Sequence, residues 1–266
     1  MTSITQRVFG HNEPLLIGHR GYSALAPENT LPSFKLALNA GAELVELDYH
    51  TSKDGVPMVI HDPVLDRTTN ARKKWRGRRI RVSKKTAAEI QTLDAGSWFD
   101  EKFSEARVST LVDALEFICK HGIAVIEHKS GDARTLAALL REQRLTNHVV
   151  VISFNWKFLR ELHALDSDLL LGALGPPVRL SNGRRPLHPR RQLGSRLKDL
   201  AKTGARIAVW NRKVSSGSVR AAHEKGLKVW VYTVDDARTA RRLARRGVQA
   251  IITNKIEPIR AAIAEL

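Results

Sequence analysis

A chain of 266 residues with 42% hydrophobic and 27% charged residues has the composition of a soluble globular protein and enough length for one large core. No apolar run approaches the ~20 residues a membrane span needs, and the N-terminus lacks the apolar core of a secretory signal, so a cytoplasmic protein is expected. A single cysteine, Cys119, excludes an internal disulfide framework and a cysteine-ligated zinc site; its place in an apolar helical pattern predicts a buried structural thiol.

In chain order, short apolar runs bounded by turn signals predict strands at Leu15–His19, Leu44–Tyr49, Ile123–Lys129, Val149–Ser153, Leu169–Ala173, Arg206–Val209, Lys228–Val234 and Ala250–Thr253. Amphipathic patterns predict helices at Leu31–Ala40, Thr110–His121, Ala133–Gln143, Trp156–Leu165, Arg196–Thr203, Ser215–Lys225, Asp236–Arg246 and Glu257–Leu266. Asn29 or Thr30 caps the first of these, and Gly41 stops it. Regular strand–helix alternation implies parallel strands with right-handed crossovers, and eight such units predict an α/β fold of the (β/α)8 TIM-barrel type. A doubly wound sheet is the alternative. The whole of residues 1–266 is expected to form a single domain, with an insertion at about residues 62–108 after the second strand.

Asp54-Gly55 is a hairpin signal between two alternating runs, and a turn centred there sets His61 opposite Asp48. Side chains two apart on a strand share a face, so Glu46 and Asp48 point together, as do Glu127 and Lys129. His128, between the latter two, is expected to face the helices in a structural role. In a barrel the functional groups gather at strand C-termini. His19, Arg20, Glu46, Asp48, His61, Glu127 and Lys129 all occupy such ends. Three carboxylates converging without cysteine form an oxygen-rich site for a hard divalent cation, Mg²⁺ or Ca²⁺. The structural alternative pairs them with Arg20 and Lys129 alone. Arg20 offers a fork for phosphate oxygens, Lys129 adds a second positive point, and two histidines suit proton transfer near neutrality.

His19-Arg20-Gly21 with Pro27-Glu28-Asn29-Thr30, Val45-Glu46-Leu47-Asp48, Lys53-Asp54-Gly55, Val59-Ile60-His61-Asp62 and Leu65-Asp66-Arg67-Thr68-Thr69-Asn70 resemble the glycerophosphodiester phosphodiesterases. The likeness continues through Ile126-Glu127-His128-Lys129, Ser153-Phe154-Asn155, Trp230–Val234 and Ile251–Asn254. It implies hydrolysis of a small-molecule glycerophosphodiester to glycerol 3-phosphate and an alcohol, with a neighbouring glycerol hydroxyl or a water as nucleophile. It also implies His19 as base and His61 as acid, although spacing alone leaves those roles exchangeable. Tyr232 stands where the family often lines the substrate pocket with an aromatic residue. Asn254 departs from a frequent aspartate, and His128 from a frequent apolar residue. Glu28 reads as a helix-entry group first and a partner of the site second. A lysophospholipid or another lipid phosphodiester is the alternative substrate.

The net charge is +17, and it is localised. Residues 67–85 hold ten Lys and Arg and residues 178–198 hold seven, with no acid in either; without those seventeen, 27 basic residues balance 27 acidic ones. The second segment, rich in Gly, Pro and Arg, is expected to be a long loop. Both segments follow strand C-termini, so both are expected on the functional face, where an anionic membrane surface is the partner that suits them, with the protein held peripherally. The non-enzymatic alternative is a basic barrel that only binds polyanions or membranes; no nucleic-acid-binding module is visible, which argues against nucleic acid as a partner.

Overall fold

The computed structural model describes residues 3–11, 13–185 and 193–266. A short helix absent from the sequence pattern, α1 (Ile4–Phe9), precedes β1 (Leu15–Gly18), α2 (Leu31–Asn39), β2 (Leu44–Thr51) and β3 (Pro57–Val59). The insertion carries α3 (Ala71–Lys74) and α4 (Ala87–Gln91), and α5 (Leu111–Cys119) leads into β4 (Ile123–His128). Strict alternation follows: α6 (Ala133–Glu142), β5 (Val149–Ser153), α7 (Trp156–Leu165), β6 (Leu170–Gly175), α8 (Leu197–Leu200), β7 (Ile207–Asn211), α9 (Ser216–His223), β8 (Lys228–Tyr232), α10 (Ala237–Ala244), β9 (Ala250–Thr253) and α11 (Ile256–Ala264). The hydrogen-bonded strand order is β1-β9-β8-β7-β6-β5-β4-β2-β3, with β1 also paired to β2. Eight strands thus close into the expected (β/α)8 TIM barrel, and β3 is an antiparallel addition to β2. Among the described residues, no helix is long and apolar enough to cross a membrane.

Internal contacts group the chain into two compact units. One comprises residues 1–17, 132–253 and 257–266. Its helices start on side-chain caps: Asp132 accepts from Thr135 N–H at 3.0 Å, and Asp236 from Thr239 N–H at 2.8 Å, each satisfying an otherwise orphaned donor. The strands are buried almost throughout, which is why they read as continuous apolar runs. Gly175 ends β6 because a Cβ there would sit 1.7 Å from the Trp210 ring, itself 2% exposed. The helix expected over 196–203 is only one turn of α-helix, flanked by 3₁₀ turns at Leu193–Arg196 and Ala201–Thr203. Of the second basic segment, Arg184 and Arg185 are exposed, while His188, Arg190 and Arg191 lie outside the described residues.

The other unit comprises residues 18–131 and 254–256. Here the hairpin departs from expectation. Tyr49 pairs with Val59 and His50 with Met58, so Ile60, not His61, is the next residue opposite Asp48; its N–H donates to the Asp48 carbonyl at 3.0 Å. The cause is a three-residue turn in place of a two-residue one. Ser52 and Val56 close it through a 2.9 Å hydrogen bond, and Gly55 takes φ +85°, the left-handed position such a loop demands. His61 therefore lies just past the ladder. The insertion has its own apolar cluster, in which Leu65, Ala71, Ile90 and Leu93 are fully buried with Met58 from β3. Cys119 is partly exposed at the end of α5 rather than buried.

His128 sits in this unit at 5% exposure, edge-on to Tyr49 with ring centroids 5.7 Å apart. Its Nε2 donates to the Gly131 carbonyl at 3.0 Å, which suits the structural role expected of it. Burial pushes its pKa down to about 4, against the opposing pull of that hydrogen bond. A depressed histidine contributes stability that is full above the unfolded value near 6.5 and is lost as pH falls toward the folded one. Urea unfolding from pH 7 to pH 4 should therefore show a loss of about 3 kcal/mol that His128→Leu lacks. Parallel pH curves for the two proteins would remove this assignment.

Candidate active site

The parallel register of β2 and β4 pairs Asp48 with Glu127, and Glu46 lies two residues before Asp48 on the same face. One oxygen from each of the three carboxylates falls within 4.8 Å of the others. All three residues are buried, at 1%, 0% and 7% exposure for Glu46, Asp48 and Glu127. Two cations reach in. Lys129 Nζ lies 3.1 Å from Asp48 Oδ1 and contacts Glu127 Oε1; Arg20 Nε lies 3.1 Å from Asp48 Oδ2. The turn after β1 places Arg20 at φ +56°, and its backbone N–H donates to Glu46 Oε2 at 2.8 Å. The next residue must be glycine: at φ +84°, a Cβ on Gly21 would meet Ser33 Oγ at 2.3 Å.

Pairing with Arg20 and Lys129 thus occurs, but it does not satisfy the cluster. Three buried acids face two cations, and Glu46 Oε1 is buried without a hydrogen-bond partner. An unpaired buried carboxylate oxygen is costly, and a hard divalent cation is the partner that an all-oxygen donor set fits. Glu46, Asp48 and Glu127 would hold it. The crowding of the three carboxylates shows in their proton affinities. Burial, then Asp48 and Glu127, push Glu46 well above the usual carboxylate range. Burial and Asp48 raise Glu127 to about 7 against Lys129. Burial also works against ionised Asp48, but Lys129 and Arg20 outweigh it and bring Asp48 down to about 2.

Asn29 at φ +59° fixes Asp48 from both sides: its Nδ2 donates to Asp48 Oδ2 at 2.9 Å, and its Oδ1 accepts from Asp48 N–H at 3.1 Å. The cap of α2 is Thr30, whose hydroxyl donates to Pro27 O and accepts no helix N–H. Glu28 does not serve helix entry. It accepts from Arg20 Nη1 at 2.8 Å and from both Nη atoms of Arg67 at 2.8 Å, so its role is to join two arginines.

Arg67 continues the chain of charges, donating through Nε to Asp62 Oδ2 at 2.7 Å. Asp62 Oδ1 in turn accepts from His61 Nδ1 at 2.7 Å, leaving Nε2 as the nitrogen able to exchange a proton. His61 is near enough to Asp48 to help lower its pKa. The Asp62 carboxyl, despite partial burial, is drawn down to about 2 by Arg67 and His61. His50, one strand position from Tyr49, donates through Nε2 to the His61 carbonyl at 3.0 Å and accepts from Ser130 Oγ at 3.2 Å. His19 Nδ1 donates to Asn254 Oδ1 at 2.7 Å. Burial and the neighbouring Arg20 lower the His19 pKa, against the pull of that bond. The lowered pKa favours the neutral imidazole, and His19 Nε2 has no hydrogen-bond partner among the described residues.

The expected residues His19, Arg20, Glu46, Asp48, His61, Glu127 and Lys129 thus all belong to one unit. Tyr232 belongs to the other, where its hydroxyl donates to Gly175 O at 2.8 Å and its ring meets Phe154 edge-on at 5.9 Å. Sequence reasoning missed Asn29, His50, Asp62 and Arg67. Asp62 had a signal, as the carboxylate adjoining a candidate histidine. Arg67 was hidden in a run of basic residues, and Asn29 behind its capping propensity.

The profile of the glycerophosphoryl diester phosphodiesterase family matches residues 19–258. A glycerophosphodiester phosphodiesterase of Caldanaerobacter subterraneus subsp. tengcongensis is 32% identical over 259 residues, 92% of this chain and 96% of that protein. A solved glycerophosphodiester phosphodiesterase from Agrobacterium tumefaciens superposes with a TM-score of 0.77 at 30% identity, covering 93% of this chain and 99% of its own. A phosphodiesterase from Oleispira antarctica, in complex with the product sn-glycerol-3-phosphate, gives 0.78 at 28% identity, with 95% and 97% covered.

The hydrogen bond to the neutral Asn254 amide raises the proton affinity of His19 against burial and Arg20. In Asn254→Asp a carboxylate replaces the amide, and the imidazolium gains an opposite charge. The His19 pKa should move up, read from its imidazole resonances in an NMR titration of both proteins. An unchanged or lower value would show that Asn254 does not set the proton affinity of His19.

Proposed function

The chain belongs to the glycerophosphoryl diester phosphodiesterase family, and from that premise we propose that it hydrolyses glycerophosphodiesters to glycerol 3-phosphate and an alcohol. The observation that carries this reading is the buried Glu46–Asp48–Glu127 cluster with its unmatched oxygen, served from the same unit by two histidines of fixed orientation.

A divalent cation, Mg²⁺ or Ca²⁺, held by these carboxylates would neutralise non-bridging phosphate oxygens and stabilise the charge that builds in the transition state. Arg20 and Lys129 border the cluster and add positive charge for the same oxygens. His19, kept neutral by burial and Arg20, accepts a proton at Nε2 from the attacking glycerol hydroxyl or water. The new oxygen–phosphorus bond forms as the bond to the alcohol breaks. His61, held through Nδ1 by Asp62, delivers a proton from Nε2 to the departing alcohol oxygen. If the glycerol hydroxyl attacks first, water then opens the cyclic phosphodiester with the histidine roles reversed, and the products are the same.

Contact with an anionic membrane, expected of the two basic segments, belongs to the same proposal, as does a cytoplasmic setting in keeping with the lone Cys119. Tyr232 remains a proposed contact of the substrate.

Excess EDTA should abolish hydrolysis of glycerophosphocholine, and Mg²⁺ or Ca²⁺ should restore it; full turnover under chelation would exclude the metal. His19→Ala and His61→Ala should each lower kcat by about 10²–10⁴ with melting temperatures nearly unchanged. Turnover at the wild-type rate in either variant would place proton transfer elsewhere.

A further inference from the structure

The strongest feature outside the acidic site lies on the insertion. Arg72, Lys73, Arg76 and Arg78 line an open groove around Gly77, and all four are exposed. Arg79, Arg81 and Lys84 follow them and are exposed as well. The ion pairs of this stretch belong to its two ends, Arg67 with Glu28 and Asp62, and Lys85 with Glu89. The cations between have no carboxylate partner among the described residues.

This array is held on a packed base. Leu65 N–H donates to Ile80 O at 2.8 Å, Val82 N–H donates to Pro63 O at 3.1 Å, and Asp66 accepts from the backbone N–H groups of Arg79 and Ile80 at 2.6 and 2.8 Å. Ala71 and Val82 are buried in the cluster with Leu65, Ile90 and Leu93. Arg76 and Arg79 take φ +49° and +55°, a region that favours glycine or asparagine, yet arginine occupies both. The apolar base supplies the local packing, so the mutual repulsion of the cations above it gains nothing for the fold.

We propose that this surface docks the protein on an anionic phospholipid bilayer. Many phosphates presented side by side match a row of cations that carries no complementary acid. The one aromatic side chain of the stretch, Trp75, is half-buried, and Lys85 Nζ lies 4.1 Å from its ring centroid, so it offers no open platform for stacking bases, the feature that single-strand binders use. The choice of a lipid surface rests on the proposed substrate. A glycerophosphodiester is the deacylated core of a glycerophospholipid, so deacylation at a bilayer is the class of reaction that supplies it. Docking keeps the protein where that supply appears.

The test is co-sedimentation with phosphatidylcholine vesicles, with and without phosphatidylglycerol, over a salt series, and with duplex DNA binding measured in parallel. No turnover enters this measurement, so its failure is distinct from failure of the hydrolase reading. Wild type should bind only the anionic vesicles and release them as salt rises, since screening acts over about 8–10 Å. The combined variant Arg72→Gln, Lys73→Gln, Arg76→Gln and Arg78→Gln should bind them about 10²–10³-fold more weakly, at roughly fivefold per charge. Its melting temperature and its turnover of soluble glycerophosphocholine should match wild type. Single variants Arg72→Gln and Arg78→Gln, each about fivefold weaker, decide the matter if the combined variant does not fold. Equal binding to both vesicle types, no binding at low salt, undiminished binding by the variants, or binding confined to duplex DNA would each overturn the proposal.

Discussion

Three carboxylates buried in one place, against two cations, form the constraint on which the rest of the site depends. Placing like charges together in a low-dielectric interior is unfavourable unless other groups hold and neutralise them. The chain meets this with parallel strands that impose the spacing, Asp48 beside Glu127, and with Asn29 hydrogen-bonded to both the side chain and the backbone of Asp48. Glu46 Oε1 is buried without a hydrogen-bond partner, and with Asp48 and Glu127 it belongs to a group of oxygens that could hold a cation. A cluster fully neutralised by Arg20 and Lys129 would have little use for a metal. A cluster one charge short is poised to hold one.

That imbalance is communicated outward along a continuous ionic chain. Arg20 joins Asp48 to Glu28, Arg67 joins Glu28 to Asp62, and Asp62 holds His61. The insertion is therefore tied to the acidic cluster through Arg67, besides the apolar packing of Leu65 beside it. An insertion that looks dispensable to the strand–helix repeat supplies the carboxylate-bound arginine that helps orient one of the two histidines. The two imidazoles are treated differently: His61 hydrogen-bonds to a carboxylate, while His19 hydrogen-bonds to a neutral amide and is buried beside Arg20. That asymmetry suits the opposite proton-transfer roles proposed for them.

The cations of the insertion divide the same way. Arg67 and Lys85, at its ends, have acidic partners, whereas the exposed cations between them crown an apolar cluster with no carboxylate partner among the described residues. Charge that is internally matched contributes to the fold and the site, and charge left unmatched on a packed base is available to a partner.

By itself, the sequence determined the alternation of strands and helices, since apolar runs and amphipathic periods report local burial, and it brought the chemical groups to strand ends. Strand parity put Glu46 and Asp48 on one face of a strand and Glu127 and Lys129 on one face of another, and strand-end positions drew His19 and His61 toward them. Tertiary structure decided what local pattern cannot carry. The hairpin slipped by one residue because closure chose a three-residue turn with Gly55 left-handed, a choice made by backbone geometry that the Asp-Gly signal leaves open. Glu28 became a bridge between arginines because Arg67, thirty-nine residues away, folds onto it. Cys119 lies at a helix end where the apolar pattern outruns actual burial. Hydrogen-bond partners distant in sequence, Asn254 for His19 and Ser130 for His50, depend on which elements meet in space, and that is settled only when the whole sheet closes.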